Sequence, residues 1–166
     1  AARVRVQDVR WLDARAPDLH QNLDGLFYNA DPVYGNDGSR EDLVRAMTAL
    51  RGLKAGGRAV LVLAAGAASG EITPAERTFF SAIARRYDVE SAMQLPEALT
   101  RKLGSGACLR LVSLRNRPPV GHSLRLEEFK VVAGWDALKS EVDEVLATAK
   151  VREAESESID VARAAQ

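Results

Sequence analysis

The sequence predicts an α/β fold: a mostly parallel sheet with an antiparallel edge pair, followed by a C-terminal helix. Three observations carry that expectation. From Leu26 to Leu95 short apolar runs alternate with stretches of helical period, the pattern of a parallel sheet with helices crossing over it. Arg58 to Ala65 (RAVLVLAA) is apolar almost throughout, as a strand covered on both faces is. Two later strands, Val89 to Leu95 and Ala107 to Leu114, are joined too closely for a long crossover, so they should pair antiparallel at the edge.

Taken in order, Arg3 to Val9 alternates, with Val4, Val6 and Val9 against Arg3, Arg5 and Gln7, and reads as a short strand ending at Asp8. Pro17 to Asn22 is loop. Leu26 to Tyr28 is a second strand, and Pro32 must stop it, because proline has no N–H for a sheet ladder. A polar, glycine-containing loop follows. Ser39-Arg40-Glu41-Asp42 has the form of a capping box with Asp in place of Glu. Leu43, Ala46, Met47 and Leu50 then give a helix to about Arg51 one apolar face, and Gly52 suits a left-handed helix end. Leu53 to Gly57 (LKAGG) reads as a turn before the apolar strand. Gly66 to Gly70 is a loop of small residues. Thr73-Pro74-Ala75-Glu76 is a strong helix start, with Thr as N-cap, Pro at the first position and Glu closing the box. That helix carries Phe79, Phe80, Ile83 and Ala84 and ends near Arg86. The next strand stops at Pro96, and a short helix or turn runs to Leu103. Gly104-Ser105-Gly106 breaks it before the last strand, and Pro118-Pro119 closes the unit.

Beyond Pro119 the character changes. Trp135, Leu138, Val142, Val145, Leu146 and Ala149 recur at helical spacing, and from Val151 the chain is charged and small. The expected layout is an α/β domain over 1–117, a linker over 118–133, and a helix with a charged connector over 134–166.

Composition narrows the function classes. The 166 residues carry 23 Lys plus Arg and 23 Asp plus Glu, so net charge argues for no polyanionic partner. A single cysteine, Cys108, excludes a disulfide framework and a cysteine-rich metal site. Within its apolar run it reads as a buried thiol. His20 and His122 have no carboxylate or histidine at metal-ligand spacing, so no metal is assigned. No apolar run is long enough to span a membrane and no signal peptide is visible, which gives a cytoplasmic expectation. The chain opens AARVRVQDV, without Met and already inside a strand-like pattern, which suggests a piece of something longer. Ser69 and Ser105 lie among glycines without a Gly-x-Ser-x-Gly elbow, and a serine hydrolase is rejected.

The stretch with chemistry is Leu23 to Gly38, LDGLFYNADPVYGNDG. In open α/β sheets ligands bind beyond the carboxyl ends of the strands, and here a strand ends in an acid, a proline and an aromatic. DPVYG, then LKAGG with RAVLVLAA, then QLPEALTRKLGSGACLRLVSLRNR form an ordered set. With these pieces the segment from Arg3 to Arg117 resembles the second half of a class I S-adenosylmethionine-dependent methyltransferase, a Rossmann-like sheet. It is most similar to the adenine-specific DNA methylase domains attached to strawberry-notch-type helicases.

The resemblance implies an amino-methyltransferase acting on a nucleic acid base, adenine in DNA before RNA. It implies S-adenosylmethionine as cofactor and the further parts of a larger machine as partners. A side-chain oxygen and a backbone carbonyl would accept the two N–H bonds of the exocyclic amine and free its lone pair. An aromatic would stack on the flipped base, and proline would keep the acceptors in place. Two registers carry this. Asp31-Pro32-Val33-Tyr34, the favoured one, keeps the acid, the first proline and the aromatic, with Val33 where the family has a second proline. Asn29-Ala30-Asp31-Pro32 starts on the amide at the strand end. Asp8 and the Val9 amide would contact the cofactor's adenine; the family's glycine-rich cofactor loop lies N-terminal to that position. The alternative is an inactive module of the same fold, kept as a nucleic-acid or protein platform.

One further signal is a local excess of cations. Ala98 to Leu126 contains no Asp or Glu but holds Arg101, Lys102, Arg110, Arg115, Arg117, His122 and Arg125. Such a segment suits phosphate contacts, unless counter-charges reach it from elsewhere in the fold.

Overall fold

A computed structural model of the chain describes residues 21–67, 69–119 and 129–148. The expected strand Arg3–Val9, Asp8 and Val9 themselves, His20, His122, Arg125 and the charged connector lie outside these residues.

The described chain is an α/β unit. In order it runs β1 (Leu23–Ala30), α1 (Glu41–Leu50), β2 (Leu53–Ala64), α2 (Pro74–Arg86) and β3 (Asp88–Leu95). The one-turn helix α3 (Glu97–Thr100) follows, and a 3-10 turn (Arg101–Leu103) leads to β4 (Leu109–Arg115) and β5 (Lys130–Val131). Helical backbone over 135–148 is α4. The sheet order is β1-β2-β4-β3-β5. β1 and β2 are parallel, as are β3 and β5, whereas β4 is antiparallel to both β2 and β3. Four of the five strands therefore share a direction.

The antiparallel pair β3–β4 forms as the short connection requires, but not at an edge: β4 inserts between β2 and β3. Its composition suits an interior slot. Val112 and Leu114 are fully buried on one side, and Leu109 and Leu111 are half-buried on the other. Lying between two strands satisfies its backbone N–H and C=O groups on both edges.

Alternation along the strands sorts the side chains. Tyr28, Leu61, Val112 and Ala92 stand in register across β1, β2, β4 and β3. They join Leu43, Ala46, Leu50, Phe79, Phe80 and Ile83 of the two helices in the main core. The other side carries a smaller cluster of Met93, Leu95, Leu99 and Val132, with Leu138 of α4 packed on it. That cluster leaves the β1–β2 half of the second face open. Phe27 is 70% exposed and Val60 36%, so β2 is not covered on both faces as its apolar run led one to expect.

Four local expectations are corrected. The Ser39 capping box does not form: Arg40 is the N-cap, without a side-chain cap bond. The α1 amide of Glu41 instead donates to the Val33 carbonyl at 2.8 Å. Gly52 is not left-handed, because α1 closes through Arg51 in ordinary helical geometry. LKAGG is not a turn but the start of β2, with a register shift against β1. A Cβ at Gly57 would lie 2.9 Å from the Leu23 carbonyl oxygen, so only glycine permits this approach. Finally, residues 130–131 of the expected linker form β5, and the residues on either side pack on the sheet. Phe129 packs edge-on against Phe80 with ring centroids 5.0 Å apart, and the Val132 amide donates to the Gln94 carbonyl at 3.0 Å. The α2 start is as read: Thr73 and Glu76 make both halves of a capping box, with proline inside it.

Candidate functional site

The carboxyl ends of β1 and β2 lie side by side, with Ala30 opposite Leu63. The chain leaves β1 through Asp31, Pro32, Val33 and Tyr34, then turns back so that Tyr34 pairs with Arg40 in an antiparallel bridge. Gly35 donates to the Ser39 carbonyl at 2.8 Å, and Gly38 to the Gly35 carbonyl at 2.9 Å. Gly38 has φ 78°, the left-handed conformation that glycine adopts at no steric cost. At Gly35 a Cβ would sit 2.7 Å from Ser39 Oγ. The loop is thus a closed turn standing on the end of α1.

Beneath it lies a row of four buried charges. Arg40 donates from Nε and Nη2 to the two carboxylate oxygens of Asp42, at 2.8 and 2.7 Å. Nη2 also donates to the Ala64 carbonyl at 3.0 Å, at the end of β2. Its Nη1 lies 3.7 Å from Glu76 Oε1. Glu76 accepts from Arg110 on the far side, and Arg110 Nη2 donates to the carbonyls of Gly70 and Glu71 at 2.8 and 3.0 Å. Arg40, Asp42, Glu76 and Arg110 are each 5% exposed or less. Two cations and two anions balance, which is what allows such groups inside a core. The Asp42 carboxylate beside Arg40 pushes its guanidinium above the usual value. Burial pulls the Arg110 guanidinium down, and Glu76 opposes that.

The row reaches both loops that rim the strand ends. On one side the Val33 amide donates to Asp42 Oδ1 at 3.3 Å. On the other, Glu76 accepts from the Gly66 amide at 3.0 Å and from the Thr73 amide at 2.8 Å. Gly66 has no room for a side chain, since a Cβ would come 2.7 Å from Arg40 Nη1. Tyr34 closes the rim, with its hydroxyl donating to the Gly66 carbonyl at 3.4 Å. The Arg40 guanidinium carbon lies 5.6 Å from the Tyr34 ring centroid, within cation–π range. Even so tethered, Tyr34 is 56% exposed. Asp31 is exposed, and its carboxylate makes no hydrogen bond or ion pair among the described residues. Asn29 is also exposed, on the sheet face of Phe27 rather than that of Tyr28.

The favoured register therefore brings Asp31, Pro32 and Tyr34 together on one short loop, with Asn29 one turn of the pleat behind. Val33 has a physical role at the position where the resembled pattern has proline: its amide is used, and proline has none to give.

The cationic segment does not make one surface. Arg110 is 0% exposed and belongs to the buried row, so it is not a phosphate contact. Arg117 donates to Asp88 at 2.7 Å from Nε, and Arg115 lies 3.4 Å from Glu90. Both sit away from Tyr34, because Arg115 stands opposite Arg58 of β2 and Asp88, the first residue of β3, and Arg117 follows it to reach the same Asp88. Arg101 pairs with Glu97 at the surface. Lys102 is exposed and makes no ion pair among the described residues. Counter-charges from α2, β3 and α3 thus meet this segment. Cys108 is buried, as read. No group of three or more His, Cys, Asp or Glu among the described residues could hold a metal ion. No described helix is long and apolar enough to cross a membrane.

The residues that sequence reading missed are Arg40 and Asp42. The available signal was Asp42 itself, an acid on the apolar stripe of α1 beside Leu43 and Ala46, which calls for a buried partner. Arg110 carried the same signal, standing in the inward register of Val112 and Leu114.

No family model matches the chain, and no curated protein matches it. Among solved structures, a chain from a type I R-M system, described in the context of its complex assembly and conformational transition, aligns at 15% identity with a TM-score of 0.47. The alignment covers 64% of this chain and 23% of that one, so this chain spans under a quarter of its neighbour's length.

Proposed function

We propose that this chain is the C-terminal portion of an S-adenosylmethionine-dependent amino-methyltransferase acting on a nucleic acid base, adenine in DNA. The observation that carries the reading is the Asp31-to-Tyr34 loop at the carboxyl end of β1. An exposed carboxylate, without a partner among the described residues, and a half-exposed ring lie within four positions of each other on a clamped backbone. In this reading the loop is the base side of the site. The cofactor side rests on Asp8 and Val9, which lie outside the described residues.

The cofactor, when bound, supplies the methyl group. The chain's own work is to present the amine. Asp31 accepts an N–H bond from the exocyclic nitrogen, which draws its lone pair out of conjugation. The Tyr34 ring stacks on the base and sets its plane. Both act from a loop already held in place, so little ordering is left for the moment of reaction. The second reading is an inactive module used as a binding platform. The pairing of Arg110, Arg115 and Arg117 with acids favours neither reading, since it removes only the extended phosphate surface.

The test uses the parent protein that carries this chain. Calorimetry with S-adenosylmethionine should show heat of binding, and methyl transfer to adenine-containing DNA should fall at least about a hundredfold in Asp31→Ala, the range a positioned acid–base group commands. Binding without transfer would select the platform reading. An unchanged rate in Asp31→Ala would remove Asp31 from the chemistry.

A further inference from the structure

We infer that Arg40 is the positioning residue of this site, and that the buried row it heads makes the loop over 31–39 and the stretches 66–67 and 69–73 move as one body. The inference deepens the reading above and rests on it for what the loop does, but not for how the loop is held.

Three observations converge on Arg40. Its backbone pairs with Tyr34, its guanidinium lies by the Tyr34 ring, and the same guanidinium ties Asp42 to the end of β2 through the Ala64 carbonyl. Asp42 in turn holds the Val33 amide. The tilt of Tyr34 and the placement of Asp31 two residues before Val33 thus pass through one side chain. The coupling to the second loop runs through Glu76. One of its oxygens faces Arg40 and Arg110 and accepts from Gly66; the other accepts from Thr73. Arg110 then holds the Gly70 and Glu71 carbonyls. A displacement of the first loop strains the Arg40–Glu76 ion pair, 3.7 Å apart with both side chains buried, where the low local dielectric strengthens the attraction between them. A surface turn with glycines at 35 and 38 would otherwise be among the most easily opened parts of the chain. The row supplies the rigidity that a second proline would have given.

Amide hydrogen exchange on the full chain tests this without substrate or cofactor. Arg40→Met removes the pivot but leaves Asp42 buried and unpaired, so it is read beside the charge-balanced pair Arg40→Met with Asp42→Asn. In the double variant exchange should rise at least about tenfold over both 31–39 and 69–73, with protection in β2, β4 and α2 retained. Arg40→Lys, which keeps charge but not the planar fork, should fall between. Change confined to 31–39 would overturn the coupling. No change in either loop, or loss of the whole fold in the double variant, would overturn the positioning role. Failure of methyl transfer with both loops loosened as stated would count against the proposed activity and not against Arg40.

Discussion

At the scale of single residues, the deciding quantity is whether a charge is buried. Arg110 and Glu76 face each other with almost no exposure. Removing one partner leaves the other desolvated and alone, at a cost of about 3–5 kcal/mol. Arg110→Met should therefore lower the thermal midpoint steeply, whereas Arg101→Ala, which breaks a solvent-screened pair with Glu97, should leave it nearly unchanged. Two denaturation curves check the contrast; equal shifts would show that the buried row is not built as described. A second residue-scale expectation concerns pH. Burial and the nearby Asp42 raise the Tyr28 hydroxyl above its ordinary value near 10. Its proton is held more tightly in the folded chain than in the unfolded one. The associated stability is complete below the unfolded value and is lost as pH rises toward the folded one. Stability should thus decline above about pH 10, and Tyr28→Phe should flatten that decline. At neutral pH the same variant loses about 1 kcal/mol, from the hydrogen bond to the Asp42 carbonyl.

At the scale of elements, the two helix starts behave differently although both looked like capping boxes. Thr73 caps α2 in full, and Glu76 answers it. Thr73→Ala should cost about 1 kcal/mol and loosen the rim as well, because Glu76 is shared with the buried row. Ser39→Ala should leave stability unchanged, since α1 starts on Arg40 and draws its first amide partner from Val33. Chemical denaturation of the two variants decides this. The difference is tertiary: at Asp42 the pull of Arg40 and Val33 outweighs the local bond that a capping box would make. The Thr73 box was legible because nothing nearby competes for its hydroxyl. The LKAGG stretch was misread for a related reason. Glycine pairs signal turns, but a pair opposite a strand start can also absorb a register shift, and only the neighbour β1 shows which.

At the scale of the whole molecule, topology decides what the cations can do. Inserting β4 between β2 and β3 carries Arg110 into the core and sends Arg115 and Arg117 to the far end, against Glu90 and Asp88. Arg117→Glu should then reduce stability, by opposing Asp88, rather than act on nucleic acid binding. Lys102 is the clean probe of a phosphate contact. Lys102→Glu should leave the melting curve unchanged, weaken binding to DNA, and lower the slope of log affinity against log salt by about 1. An unchanged slope would free the segment of any part in binding. The open β1–β2 half of the second face, with Phe27 exposed, is a feature of the same topology: α1 and α2 cover one side, and α4 reaches only the other end.

The sequence by itself determined the alternation of strands and helices, the α2 cap, the buried cysteine and the place where β1 must stop. Each depends on a local cause: hydrophobic period, a side-chain-to-backbone bond, or a missing N–H. It also placed Asp31, Pro32 and Tyr34 on one loop, because residues within four consecutive positions cannot be far apart. Only the tertiary structure decided which charges are buried. Asp42, Glu76 and Arg110 are 68 residues apart end to end, and their pairing follows from strand order and helix placement, which no local pattern encodes. That pairing took Arg110 out of an apparent cationic surface into the core and set a buried ionic row beneath a polar loop.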